Sequence, residues 1–191
     1  KMVEIANADF MPNNILTFTE TETESAFNEG QTVFARNWPY MAKTAADKST
    51  SKVAGNFAFT SLPAGDSGSA STLGGYMAMI NRYTDHPKEA WEFVKFMTGK
   101  DGQKISATEG GRAPTIKALY EDKDVQEAAP VFKEKSFVET LENAVPRPVT
   151  PNYQEISDIL QIEISKALTK DITVDQAIEN MESKMKAALK E

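Results

Sequence analysis

The chain has 191 residues, 40% hydrophobic and 26% charged, which excludes a disordered tail, a collagen-like fibre and a coiled-coil rod. Basic residues number 21 against 28 acidic, a net charge of −7, and no basic face clusters, so a nucleic-acid partner is not expected. No run approaches the ~20 apolar residues of a membrane span, and the start does not resemble a signal peptide.

Cysteine is absent and His86 is the single histidine, so disulfides, thiolate metal sites and a Ser–His–Asp triad are all excluded. No metal site and no cofactor motif is found. The glycines at 65–68 and 110–111 lack the Gly-Lys-Ser/Thr that follows in a phosphate-binding loop. Catalysis through paired carboxylates stays open on composition.

Along the chain, Lys1–Ala6 reads as the middle of an amphipathic helix without a cap, the pattern of a piece of a longer chain. Thr21 with Glu24 predicts a capping box for a short helix that ends at Gly30, with Ala26 and Phe27 inward. Three strand-like runs follow. The first is 32–38, stopped by Pro39. The second is 56–62, which alternates apolar and polar residues before Pro63. The third is 73–80, continuous and apolar as in a strand covered on both faces. Residues 64–71 between the last two are small and polar, a flexible loop.

The remainder reads as helix. Pro87 suits a first turn, with Ala90, Trp91, Val94 and Met97 as its buried stripe up to Gly99. His86, beside Asp85, is a cap or a solvated surface residue. Asp101 opens another helix that stops at Gly110-Gly111, and 115–142 holds two or three short helices broken at Pro130 and Ser136. Thr150-Pro151 is expected to cap a longer helix with Tyr153, Ile156, Leu160, Ile164 and Ala167 inward. Thr173 with Gln176 caps the last, whose stripe is Val174, Ile178, Met181, Met185 and Leu189. Strands first and many helices after predict an α/β or α+β arrangement.

Three turns combine special backbone residues with an aromatic or a cation: Arg36-Asn37-Trp38-Pro39-Tyr40, Gly74-Gly75-Tyr76, and the proline-stiffened crossover from Pro146 to Tyr153. Aromatic faces with a planar cation suit a carbohydrate. The C–H face of a sugar ring stacks on Trp or Tyr, and its hydroxyls take fixed donors such as the five N–H groups of arginine. Ordinary edge packing of Trp38 and a plain Pro-rich connection explain the same residues without any ligand.

The order of these pieces resembles the extracellular sugar-binding proteins of ABC importers. The run Ala26–Tyr40 is similar to the family's Phe-x-x-Gly turn, strand and Asn-Trp-Pro corner. Leu62-Pro63-Ala64-Gly65 followed by Gly74-Gly75 resembles its Leu-Pro-x-Gly … Gly-Gly passage. Lys88–Met97 resembles its Lys-Glu-Ala-Ala-Trp-Glu-Phe helix, and Gly111-Arg112-Ala113-Pro114 its Gly-x-x-Pro turn. Arg147-Pro148 with Pro151-Asn152-Tyr153 is similar to the crossover of the trehalose/maltose-binding branch. Family members are considerably longer, and Tyr76 stands where that branch often has Trp.

The resemblance implies a type II periplasmic-binding-protein-like α/β clamshell, here its C-terminal part, helix-dominated with a small incomplete sheet. It implies that 1–73 and 114–191 form the C-terminal lobe and that 74–113 returns to the N-terminal lobe. Trp38 and Tyr76 would stack on sugar rings, Arg147 would donate to hydroxyls and Tyr153 would close one side. Gly74 and Gly75 would let the backbone approach the ligand. The implied protein is a non-enzymatic receptor for a di- or oligosaccharide in the periplasm or on the outer face of the cell membrane. Its partners would be the sugar and the permease subunits, with membrane association only through a lipid tether or the permease. A carbohydrate-active enzyme and a ligand-free structural fragment are the alternatives.

Overall fold

A computed structural model describes residues 1–66 and 68–190. In chain order its regular elements are α1 (Met2–Ala6), α2 (Glu20–Asn28), α3 (Met41–Ala46), β1 (Thr72–Leu73), α4 (Pro87–Thr98), α5 (Lys100–Gly110), α6 (Lys123–Ala128), α7 (Lys135–Glu142), β2 (Val145–Pro146), α8 (Tyr153–Leu168) and α9 (Val174–Ala188). Short 3₁₀ turns lie at Ile15–Thr17, Lys117–Glu121 and Pro130–Lys133. Helices dominate, and the described residues hold one two-stranded parallel sheet.

The chain divides into two compact units, Glu20–Arg147 and a second built from Lys1–Thr19 with Pro148–Glu191. The first unit has its core where the short helices after α5 meet: Ala107, Val125, Ala129, Val131, Phe132 and Phe137 are buried together. The rings of Phe132 and Phe137 lie 5.4 Å apart, with Phe59 at 5.7 Å from Phe137 and Tyr120 at 5.6 Å from Phe132, the tilted and edge-on spacings aromatic pairs favour. Tyr120 donates its hydroxyl to the Pro114 carbonyl at 2.7 Å, and burial pushes that hydroxyl up to a pKa of about 12. Asp122 caps α6 by accepting from the N–H groups of Asp124 and Val125, and Lys104 of α5 bridges to Asp122 at 2.9 Å and Asp124 at 2.6 Å.

The second unit is a helical hairpin with α1 against α8. Asn7 donates to the Leu168 carbonyl at 3.1 Å, tying α1 to the end of α8. Ile156 and Ala167 of α8 and Ala177 and Ala188 of α9 are buried. Glu163 of α8, also fully buried, accepts from Lys184 at 2.6 Å and Asn180 at 2.9 Å on α9, and from Lys166 at 3.2 Å. Those bonds hold its carboxyl down to a pKa of about 2, Lys184 contributing most. The chain leaves α8 through Lys170, whose φ of 65° is left-handed; Lys170 N–H bonds the Ala167 carbonyl at 3.2 Å and Asp171 N–H bonds Lys166 at 2.9 Å, the Schellman pattern.

Several expectations need correction. Residues 32–38 and 56–62 form no strand, and of 73–80 only Leu73 pairs. An extended run becomes a strand only where a neighbour takes its N–H and C=O groups, and among the described residues β2 alone does so, for β1. Val33, Phe34, Tyr76, Met77 and Met79 are accordingly exposed rather than covered. The alternation at 56–62 survives in burial, since Phe57 and Phe59 are half-buried between exposed neighbours. Trp91 is 54% exposed, not core, because α4 covers Ala90 and Val94 and Trp91 points a quarter-turn away. Helix α2 begins at Glu20, ahead of the predicted cap Thr21, and ends at Asn28 rather than Gly30. The break after Pro130 falls at Glu134, leaving Ser136 inside α7.

Helix α8 keeps its predicted stripe, while α9 is rotated: Ala177 and Ala188 are covered and Val174, Ile178 and Leu189 are about half exposed. The physical reason is the Glu163 cluster, since Asn180 and Lys184 share a face with Ala177 and Ala188 and turn that face toward α8.

Candidate functional site

The site begins with strand register. Thr72 pairs with Val145 and Leu73 with Pro146, the Val145 N–H donating to the Ser71 carbonyl at 2.8 Å. One step further in that parallel register sets Gly74 beside Arg147. Pro146 is tolerated because a two-stranded ladder is all edge.

Into the same place comes Trp38. A β-carbon at Gly74 would stand 2.7 Å from Trp38 Cη2, 3.1 Å from Cζ3 and 3.6 Å from Arg147 Nη2. The indole therefore lies on the glycine backbone, with the guanidinium next to both. Glycine is required there by close approach. Trp38 remains 42% exposed and Arg147 is exposed, so an aromatic surface and a fork of donors are both open to solvent.

The far end of the indole is held as well. Trp38 Nε1 donates to Glu20 Oε1 at 3.2 Å. Asn37 accepts from the Trp38 N–H at 2.8 Å through Oδ1 and donates through Nδ2 to the Glu20 carbonyl at 2.9 Å, stapling the corner to the start of α2. The carboxyl of Glu20 is held below the usual range, first by a bond from backbone N–H and then by the indole N–H. One turn along α2, Glu24 accepts from Tyr40; burial first, then the Glu24 charge and this bond, push the phenol up. From α3, Lys43 Nζ donates to the Thr108 and Glu109 carbonyls, the latter at 3.0 Å, placing a cation on the negative end of α5.

Of the residues singled out by sequence, then, the structure brings Trp38, Gly74 and Arg147 together. A β-carbon at Gly75 would meet nothing within 4 Å, and the side chain of Tyr76 is fully exposed. Tyr153 is the first residue of α8, half-buried, in the other unit. His86 precedes α4 without a side-chain capping bond. Glu20, Glu24 and Asn37 were missed as partners of the corner. The acidic run 20–24 fits helix-dipole complementarity equally well, so only the i, i+4 spacing of Glu20 and Glu24 hints at a shared face. Among the described residues no cluster of His, Asp or Glu could hold a metal ion, and no helix is long and apolar enough to cross a membrane.

The family pattern of the bacterial extracellular solute-binding proteins matches residues 1–104, more than half of the chain. The chain belongs to that family. A probable ABC transporter-binding protein of Deinococcus radiodurans is 37% identical over 178 residues, 91% of this chain and 42% of its own length. Among solved structures, the maltose-bound MalE3 of T. maritima superposes with a TM-score of 0.90 at 35% identity, over 97% of this chain and 48% of that one. The solute-binding protein of an ABC transporter from Agrobacterium radiobacter K84, solved with ribitol, gives 0.77 at 24% identity over 94% and 45%, a likeness of fold alone. This solute-binding chain thus spans slightly under half the length of these relatives. The fold expected from sequence, helix-dominated with a small incomplete sheet in the periplasmic-binding-protein class, is the fold observed.

Proposed function

We propose that this chain forms part of a non-enzymatic receptor that captures a di- or oligosaccharide and delivers it to the permease of an ABC importer. The observation that carries the reading is the meeting of Trp38, Gly74 and Arg147. The open indole offers a stacking surface for the C–H face of a sugar, and Arg147 offers donors to the hydroxyls at its rim. Tyr76 is a second stacking ring. The likeness to a maltose-bound protein supports a glucose-based disaccharide as the first ligand to try.

In this reading 1–73 and 114–191 belong to one lobe and 74–113 to the other. The exposure of Tyr76, Met77, Met79, Tyr83 and Trp91 supports it, since each awaits cover. The receptor works outside the cytoplasm, in the periplasm or on the outer face of the membrane, held there by a lipid tether or by the permease alone.

Calorimetry on the complete natural protein with maltose, trehalose and maltotriose tests the reading. Binding of at least one sugar is expected, weakened about a hundredfold or more by Trp38→Ala and about tenfold by Arg147→Ala, as for lost aromatic and charged anchors. Hydrolysis of a bound sugar, or no binding in the panel, overturns it.

A further inference from the structure

We propose that Glu20 is a positioning residue for the sugar-stacking tryptophan, fixing the plane of Trp38 from the end of the indole opposite Gly74. The proposal rests on the reading of Trp38 as a ligand-stacking residue given above.

An indole packed on one side only can rotate about its side-chain bonds, and a rotating ring offers a sugar no fixed face. Here the bicycle is held at both ends. The benzo edge, Cζ3 and Cη2, abuts Gly74, while Nε1–H at the pyrrole end donates to Glu20 Oε1 at 3.2 Å. Two contacts at opposite ends of a rigid planar group define its orientation, and 42% of the residue stays open to a ligand. The backbone that carries the carboxylate is pinned in turn: Asn37 Nδ2 donates to the Glu20 carbonyl at 2.9 Å, and Asn37 Oδ1 accepts from the Trp38 N–H at 2.8 Å. Asn37 thus closes a ring of hydrogen bonds running Glu20 carbonyl, Asn37, Trp38 backbone, Trp38 indole and Glu20 carboxylate. Glu20 itself is solvent-exposed and outside the core, so its replacement leaves the packing of the unit in place.

The test uses three variants of the complete protein, Glu20→Ala, Glu20→Gln and Trp38→Ala. Maltose affinity is read by calorimetry and the Trp38 indole N–H by NMR, assigned as the signal missing from Trp38→Ala. Losing the bond to a charged acceptor should weaken maltose binding about tenfold in Glu20→Ala. The indole N–H signal should move upfield and exchange faster in the same variant. Glu20→Gln keeps an acceptor oxygen and should restore both readouts, affinity to within about threefold. An unchanged indole signal and affinity in Glu20→Ala, with Trp38→Ala still abolishing binding, overturns the positioning role and leaves the receptor reading standing. Unchanged affinity in Trp38→Ala overturns both.

Discussion

Two neighbouring glycines make a sharp test of the site's geometry. In Gly74→Ala the new methyl would sit 2.7 Å from Trp38 Cη2, about 0.8 Å inside the ~3.5 Å of ordinary carbon–carbon contact. Backbone on one side and indole on the other leave the ring as the part that moves. Glu20 stands at the opposite end of the indole, so the ring cannot back straight away from Gly74 and must swing aside, which breaks the 3.2 Å Trp38–Glu20 bond at a cost of ~0.5–1.5 kcal/mol. The swing also takes the ring off its rotamer, adding ~0.5–1.5 kcal/mol, so the total falls at about 1–3 kcal/mol. For the unit Glu20–Arg147 that corresponds to a fall in Tm of about 4–11 °C, using ~2.1 cal/mol/K of unfolding entropy per residue.

Gly75→Ala is the control. Nothing lies within 4 Å of its new methyl and its φ is not left-handed, so the change should be neutral or stabilise by up to ~1 kcal/mol. Urea unfolding of the 191-residue chain, followed by helical circular dichroism, reads the difference. A second pair of variants isolates the cause: in a Trp38→Ala background Gly74→Ala should lose its cost, because the clashing ring is gone. Equal stability of Gly74→Ala and Gly75→Ala would refute the contact on which the site is built.

The other predictions concern the helical hairpin. Glu163 has a folded-state pKa of about 2 against 4.5 unfolded, so its contribution is complete above pH 4.5 and is lost as the pH falls from there toward 2. Urea titrations at pH 2–7 should show that loss in the parent chain, while Glu163→Gln, having no proton to gain, should show a shallower decline and a lower Tm at pH 7. Lys170 carries a left-handed φ of 65° that costs a side chain ~1–2 kcal/mol, partly offset by the flexibility glycine brings to the unfolded chain. Lys170→Gly should therefore stabilise by about 0.5–1 kcal/mol, checked by thermal melts, and a destabilisation would refute the Schellman assignment at that turn.

How much was legible in the sequence depended on how local the determinant was. The capping box at Thr173 and Gln176 forms as read, with both reciprocal bonds present, because its atoms lie within one turn. The proline start of α4 and the stripe of α8 are local or periodic in the same way, and both hold. Strands failed because a strand is a relation between two segments: 32–38 has the composition and the stops, yet lacks a ladder partner. The rotation of α9 failed for a related reason. Its apolar residues fix two overlapping stripes, one through Val174 and Ile178 and one through Ala177 and Ala188. The choice between them is made by Glu163, which lies on another helix and must bring its partners Asn180 and Lys184 inward. A buried carboxylate with no partner is far costlier than half-exposing a valine, so the ionic cluster decides and the larger side chains yield. The corner at Trp38 follows the same logic. Sequence could select the tryptophan, the glycine and the arginine, since each is distinctive in its turn. The carboxylate that holds the ring stands eighteen positions earlier in the chain, inside an acidic run that has another sufficient explanation, and only the folded geometry separates Glu20 from its neighbours.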